Sequence, residues 1–284
     1  MGTSSAFGGQ RGGTPLVPSW LDDAGAPPAL PGGTPPIGDP SAPPSFPAIP
    51  PAGDSERFSA ARNNFSRFAR SGGSDRRSLG RAVSHYVGSS SGGARTAAAR
   101  MGSALGAGSR LLGFLSDTVA RGATQALRTL NLNALAGRPI EEVFLGLVDH
   151  VCPDGGSIDE GIAREAFIKT ITDLACAGIT DLDGLTADQM QTVFELYATN
   201  SIVARLCNDI GMKAITLPSD RREVESVQAQ LEDFIRRGVA DALTEVRLET
   251  ATLTQDRVSQ IVRQIYEQAF AILQMMGDAE AEDV

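Results

Sequence analysis

The chain has 284 residues and a formal net charge of -9, and its first 55 residues hold 13 of its 16 prolines. This opening stretch has too few apolar side chains to bury a core, so we predict that residues 1–54 form a disordered Gly/Pro-rich tail. The sequence has no window of 18 apolar residues, which excludes a membrane-spanning helix on length. Its three cysteines are odd in number and widely spaced, which favours a cytoplasmic protein with reduced thiols.

Charge is segregated along the chain. Residues 56–130 carry twelve arginines against three acids, whereas residues 131–284 carry twelve basic against twenty-seven acidic residues. We therefore predict a basic Arg-rich helical segment at 55–130, an acidic all-helical domain at 131–278 and an acidic tail at 279–284. The two charged parts could pair within the molecule, or the basic part could face phosphates while the acidic part faces protein partners.

Helical spacing of apolar residues begins where the proline-rich stretch ends. The residues at steps of three and four are Phe58, Ala61, Phe65 and Phe68. They predict a first helix from Ser55 to Arg70, with Ser55 as its cap. A second helix should begin after Ser74, with Leu79 and Tyr86 facing inward. Residues 94–131 are rich in Ala and Gly, and we predict two or three short, tightly packed helices there because each interior glycine weakens a helix by about 1 kcal/mol.

Capping signals mark the helices that follow. Ser157 with Glu160 forms a capping box, which predicts a helix over Ile158–Ala177. Thr186 with Gln189 repeats the pattern ahead of another helix.

Two long helices are predicted near the end of the chain. Ser219 opens the first and Thr254 the second, and apolar residues such as Leu231 and Ile265 recur at steps of three and four. Because only a short break separates them, we expect an antiparallel hairpin. Nothing alternates like a strand for more than a few residues, so the predicted fold is all-α, with about 7–9 helices.

One cluster has residue types that could bind a metal or act as a nucleophile: Asp149, His150, Cys152 and Asp154. Its spacing matches no structural zinc pattern, and the other two cysteines bring no CxxC partner. His150 and Cys152 lie two apart and would face away from each other on a helix. We predict a helix end with a buried Cys152, no metal and no catalytic residue. No phosphate-binding loop pattern is met either, so no cofactor is expected.

The arginines of residues 56–130 are the strongest charge feature of the sequence. Arginine is well suited to bidentate contacts with phosphate or carboxylate. The candidate basic patch consists of Arg57, Arg62, Arg67, Arg70, Arg76, Arg77 and Arg81. Contact with nucleic acid is one interpretation. Pairing with the protein's own acidic part, or with an acidic partner, is the other.

The N-terminus is a candidate modification site. Because the second residue is small, Met1 is expected to be removed, which leaves Gly2 as a free amine on a long flexible tail. A terminus presented this way suits capture by an enzyme's pocket. An ordinary disordered end is the alternative.

Long strings of this sequence resemble the B components of the bacterial Qat anti-phage defence systems. They include MGTSSAFGG at the start, RFSAARNNFSRFARSGGSDRRSLGRAVSHYV at 57–87 and GRPIEEVFLGLVDHVCPDGGSIDEGIAREAF at 137–167. The resemblance extends over nearly the whole chain and is weakest in the proline-rich tail. It implies a cytosolic defence protein without a catalytic motif of its own, acting beside an ATPase, a QueC-like enzyme related to deazaguanine synthesis and a TatD-like nuclease.

For systems with QueC-like members, the resemblance further implies that a deazaguanine-type group is joined to the N-terminal amine of a partner protein. In this sequence that position matches Gly2. We therefore expect a non-enzymatic helical adaptor that docks the QueC-like enzyme and presents Gly2 for modification. The alternatives are a nucleic-acid-binding module using residues 56–130 and a scaffold that holds the ATPase and the nuclease.

Overall fold

The structure is a computed structural model, and it describes residues 56–153, 155–211, 215, 217–246 and 254–282. Within these ranges every regular element is a helix and no strand occurs, which confirms the all-α class. The part of the chain from Ser55 onward forms one compact unit. The predicted tail with Gly2, and also Asp154, lie outside the described residues.

Ten α-helices make up the described part of the chain, one more than the upper end of the expected number. In chain order they are α1 (Ser59–Arg70), α2 (Arg76–His85), α3 (Ala94–Ala99), α4 (Gly102–Arg121), α5 (Ala123–Thr129), α6 (Ile140–Val151), α7 (Ile158–Cys176), α8 (Ala187–Ile210), α9 (Arg221–Glu245) and α10 (Gln255–Glu282). A π-helical turn, Tyr86–Ser90, follows α2, and a 3-10 turn, Asn133–Leu135, precedes α6. The Ala/Gly-rich stretch supplies three helices, as expected, but α4 has 20 residues and is not short, because its buried side chains pack against other helices. Gly122, at φ 85°, separates α4 from α5. None of the described helices combines the length and the apolar character needed to cross a bilayer.

The first helix begins later than the sequence predicted. A turn precedes it, in which the Ser59 amide donates to the Glu56 carbonyl at 2.8 Å, and no side chain caps α1. Ser55, the predicted cap, lies outside the described residues. The buried face is as expected, because Ala61, Phe65 and Phe68 are all in the core.

Both predicted capping boxes are present. The Ser157 hydroxyl accepts from the Glu160 amide at 3.2 Å while the Glu160 carboxylate accepts from the Ser157 amide at 2.9 Å. Thr186 and Gln189 make the same reciprocal pair at the start of α8. At the start of α9, however, Asp220 is the cap and not Ser219. Its carboxylate accepts from the Arg222 amide at 2.7 Å.

Helices α9 and α10 form the predicted antiparallel hairpin. Gly238 of α9 lies against Leu273 of α10, while Glu245, further along α9, accepts a hydrogen bond from Gln268, which is earlier on α10. Later residues of α9 therefore contact earlier residues of α10, so the two helices are antiparallel. Leu231 and Ile265 are buried on these helices, as their spacing predicted.

The acidic end of the chain is helical further than expected. The composition of residues 279–284 predicted a solvated tail, but α10 continues to Glu282. Its last turns pack on α2, where Gly80 and Gly277 face each other so closely that a Cβ on Gly277 would lie 2.6 Å from the Gly80 carbonyl oxygen. Arg76 pairs with Glu280 at 3.6 Å across this contact. Packing against α2, which composition does not predict, therefore keeps the chain helical as far as Glu282.

Candidate functional site

The arginines of the predicted basic patch divide into two groups. Arg57 and Arg62 are partly buried, and each donates to a backbone carbonyl: Arg57 to Ser90, and Arg62 to Ile210 at 2.7 Å. A guanidinium that satisfies a helix-end carbonyl contributes to the fold. These two arginines therefore hold α1 against the π-helical turn and the end of α8.

The other group faces outward from the α1–α2 hairpin. Arg67, Arg70, Arg77 and Arg81 are exposed, as is Arg76, which is paired with Glu280. The exposed members are the part of the predicted patch that a phosphate or an acidic partner could reach.

A buried charge network joins the Arg-rich helices to the acidic ones. Its centre is the carboxylate of Asp209, near the end of α8, whose side chain is only 7% exposed. One oxygen, Oδ2, accepts from the Tyr86 hydroxyl at 3.0 Å and lies 3.2 Å from Nε of Arg205 and 3.4 Å from Nη2 of Arg100. Arg205 also pairs with Asp159 at the start of α7. Burial and the neighbouring Asp209 charge raise the pKa of Tyr86 well above its usual range, so Tyr86 remains a neutral donor.

Aromatic stacking extends this network. The Phe58 ring lies against the Tyr86 ring with centroids 5.7 Å apart, and the guanidinium of Arg100 lies 5.3 Å from the Phe58 centroid. Arg57 also approaches this ring, at 5.7 Å. Of the two interpretations of the arginines, pairing with the protein's own acidic part is observed at Arg76, which pairs with Glu280, and at Arg100, which pairs with Asp209.

Of the Asp149–Asp154 cluster, the described members Asp149, His150 and Cys152 do not converge on a common site. Cys152 follows the last residue of α6 and is buried, as predicted, with its Sγ 3.6 Å from the Ala163 carbonyl oxygen. Burial raises the pKa of its thiol to about 11, so it is protonated near neutral pH. Asp149 is paired with Arg164 at 2.8 Å. Burial and the nearby Arg110 lower the pKa of His150.

No group of three or more His, Cys, Asp or Glu side chains in the described ranges is arranged to hold a metal. A cavity of about 330 Å³ lies beside Cys152, between α4 and the start of α7. Its wall is formed largely by small residues of α4, including Gly102 and Gly106. The two charged residues on its wall are already bonded, because Arg110 donates to the Val151 carbonyl and Glu160 belongs to the capping box.

A second cavity, of about 310 Å³, is a groove between α7, α8 and α9. We call it the α7–α9 groove. Its apolar lining includes Phe65, Val203, Ala204, Leu217, Val227 and Leu231. Leu217, 37% exposed, is one of the few large apolar side chains that the described part of the protein leaves open to solvent.

Charged groups surround the apolar lining of the groove. Glu165 is exposed on α7, and Glu232 of α9 pairs with Lys169 at 3.3 Å. Lys169 is shared with Asp173 at 3.2 Å, and this second acid also accepts from Asn200 at 2.9 Å. The one lysine is thus neutralised by its two neighbours, and the groove keeps a net negative charge.

Sequence reasoning missed both the charge network and the groove. The spacing of Arg205 and Asp209, four apart on one helix, was a signal for an ion pair, but such pairs are usually exposed. The groove collects residues from four helices, and no local pattern marks it.

Comparison with known families finds a match over most of the chain. The model of a family described as Qat anti-phage system associated protein QatB matches residues 92–273. The match spans α3 to α9 and most of α10, and therefore includes Asp209 and helices α7, α8 and α9 of the groove, but not α1, which contributes Phe65. Searches of curated proteins and of solved structures gave no significant match.

Proposed function

Because the chain belongs to the QatB family and is thus a component of the Qat anti-phage defence system, we propose that it is a non-enzymatic adaptor for that system's QueC-like enzyme. Its helical body docks the enzyme, and its N-terminal segment presents Gly2 for covalent attachment of a deazaguanine-type group. The family membership is the observation that carries this proposal.

Features of the body support an adaptor role. Its charge is strongly segregated along the sequence, and the buried network around Asp209 fixes the Arg-rich helices on the acidic ones. Cys152, the candidate nucleophile, is a buried thiol that stays protonated near neutral pH, and burial lowers the pKa of His150. Exposed acidic side chains such as Glu165 suit binding to a basic surface of a protein partner.

The proposed role of Gly2 rests on the sequence and on the resemblance to the family. A small residue at position 2 allows removal of Met1, and the length of residues 2–55, which precede the helical body, sets an upper limit on how far the amine can reach from it. A simple tether would depend on that length alone. An amine substrate would depend on Gly2 itself.

Phage protection in cells separates these two roles. Gly2→Leu retains Met1 and should abolish protection, whereas Thr3→Leu, the matched control, should leave Met1 removal and protection intact. If Gly2→Leu protects as well as the unaltered chain, the N-terminal amine is not the substrate.

A second candidate function is nucleic-acid binding by the exposed arginines of the α1–α2 hairpin. The observation that favours it is the group Arg67, Arg70, Arg77 and Arg81, all of which are open to solvent. Binding through phosphates must weaken steeply with salt, because each neutralised phosphate releases counterions. Replacing these four residues by Gln should then remove binding to duplex DNA at low salt. A third role, as a scaffold for the ATPase and the TatD-like nuclease, would be detected as direct binding of either protein.

A further inference from the structure

We propose that the α7–α9 groove is the docking site for an amphipathic segment of the partner enzyme, in which an apolar side chain is flanked by Lys or Arg. The inference names the surface that the proposed function requires, and it rests on that function for the identity of the partner. Its own basis is the shape, lining and charge of the groove.

The size of the groove fits an apolar anchor. A volume of about 310 Å³ equals that of about ten water molecules in the liquid, which is enough for one or two large side chains. The floor is apolar and is formed by side chains such as Val203, Ala204 and Leu231. Burying a Leu or Phe here would remove apolar surface of both partners from water, and such central anchors supply most of the affinity of an interface.

The polar groups of the groove argue against a small polar ligand. A small-molecule site needs a few polar groups that converge on the ligand. Here the Asn200 amide donates to Thr170 and Asp173, and the Lys169 ammonium is held between Asp173 and Glu232. Asn200 and Lys169 are thus satisfied by their neighbours, and the other polar side chains of the lining, Glu165 and Gln228, are exposed to solvent, so the groove offers mainly shape and apolar surface.

The negative charge of the groove favours basic residues on either side of the apolar anchor. Glu165 is exposed at the edge of the groove, and Glu232 shares its single cation with Asp173. Both glutamates also contribute to raising the pKa of the Cys207 thiol in the groove wall to about 11, after burial, which is the larger cause. Their field reaches into the groove, so a basic residue beside the anchor would be attracted and an acidic one repelled.

The test uses the full chain, the QueC-like enzyme and two synthetic peptides. One twelve-residue peptide carries two leucines one helical turn apart with lysines on either side, and the other has glutamates in place of the lysines. Binding to each is measured by surface plasmon resonance at several salt concentrations. Urea unfolding of every variant shows whether the fold is retained.

Two pairs of variants give the decisive comparison. Ala204→Leu fills the groove and should weaken enzyme binding about tenfold or more, while Ala240→Leu, also at a half-buried alanine but outside the groove, should leave it within about twofold. Glu165→Lys should slow association and reduce its salt dependence, and Asp241→Lys, with the same charge change on an exposed site of α9, should do so far less. If Ala204→Leu fails to fold, the comparison of Glu165→Lys with Asp241→Lys still tests the groove assignment.

The outcomes separate this inference from the proposed function. If the enzyme binds the unaltered chain and the groove variants equally well, the docking function stands and the groove assignment is overturned. If the enzyme does not bind but the lysine-flanked peptide binds in an Ala204-dependent way and the glutamate-flanked one does not, the groove stands and the choice of partner is wrong. If neither binds, both fail. A dimer of the unaltered chain that Ala204→Leu dissolves would assign the groove to a second copy and overturn the inference.

Discussion

The substitution Asp209→Ala tests the buried charge network. It removes the carboxylate that accepts from Tyr86 and pairs with Arg100 and Arg205, whose side chains are 15% and 12% exposed. Removing one partner of a buried ion pair costs about 3 to 5 kcal/mol, because the remaining charge stays desolvated. Arg205 keeps Asp159, so we expect the lower end, about 3 kcal/mol.

Urea unfolding followed by circular dichroism measures this loss. With an m-value of roughly 2 to 3 kcal/mol/M, a loss of 3 kcal/mol lowers the midpoint by about 1 to 1.5 M. Tyr86→Phe removes only one hydrogen bond and should cost about 1 kcal/mol. Asp117→Ala is the matched control, because it breaks an exposed pair with Arg121 and should cost about 0.5 kcal/mol or less. A midpoint for Asp209→Ala equal to that of Asp117→Ala would show that the network does not hold the two charged parts together.

Three further predictions concern the helix ends and the core. Gly277→Ala should lower the unfolding free energy by about 1 to 3 kcal/mol, because the added Cβ would collide with the backbone of α2. Gly161→Ala, where the added Cβ would contact nothing, should be neutral or stabilising, and equal effects of the two substitutions would contradict the α2–α10 contact. Ile265→Ala should lower the unfolding free energy by about 2 to 5 kcal/mol, measured by urea unfolding, and Cys152→Ala should lower it less. Iodoacetamide at pH 7.5 should label the exposed Cys176 before the buried Cys152, as measured by peptide mass, and the reverse order would mean that Cys152 is a reactive thiolate. The hydrogen bond from the Ser78 hydroxyl lowers the pKa of Asp75, so the stability from this cap is present above the unfolded-state pKa and is lost as pH falls through the folded-state pKa. The difference of about 1 kcal/mol between the unaltered chain and Asp75→Ala at pH 7 should therefore shrink below about pH 4, and a constant difference would refute the cap.

Features fixed by neighbouring residues were the ones the sequence predicted well. The capping boxes at Ser157 and Thr186 need only residues three apart, and the buried faces of α1, α9 and α10 follow from their periodicity. The predicted burial of Cys152 at a helix end was confirmed for the same reason.

Features that depend on distant contacts were missed. Tyr86 and Asp209 are 123 positions apart, and Gly80 and Gly277 are further apart still. An acidic sequence predicts solvation at the end of α10, but the close approach of two glycines and the ion pair between Arg76 and Glu280 keep it helical. Arginines counted as one patch proved to have different roles, because each role is set by the carbonyl or carboxylate that the fold brings near.

The most direct test of the proposed function is the intact mass of the full chain, purified from cells with and without the QueC-like enzyme. With the enzyme present we expect a chain that has lost Met1 and gained the mass of one deazaguanine-type group, with fragmentation placing the added mass on Gly2. Without the enzyme we expect loss of Met1 alone. An unchanged mass in the presence of an enzyme that binds the chain would contradict modification of the N-terminal amine.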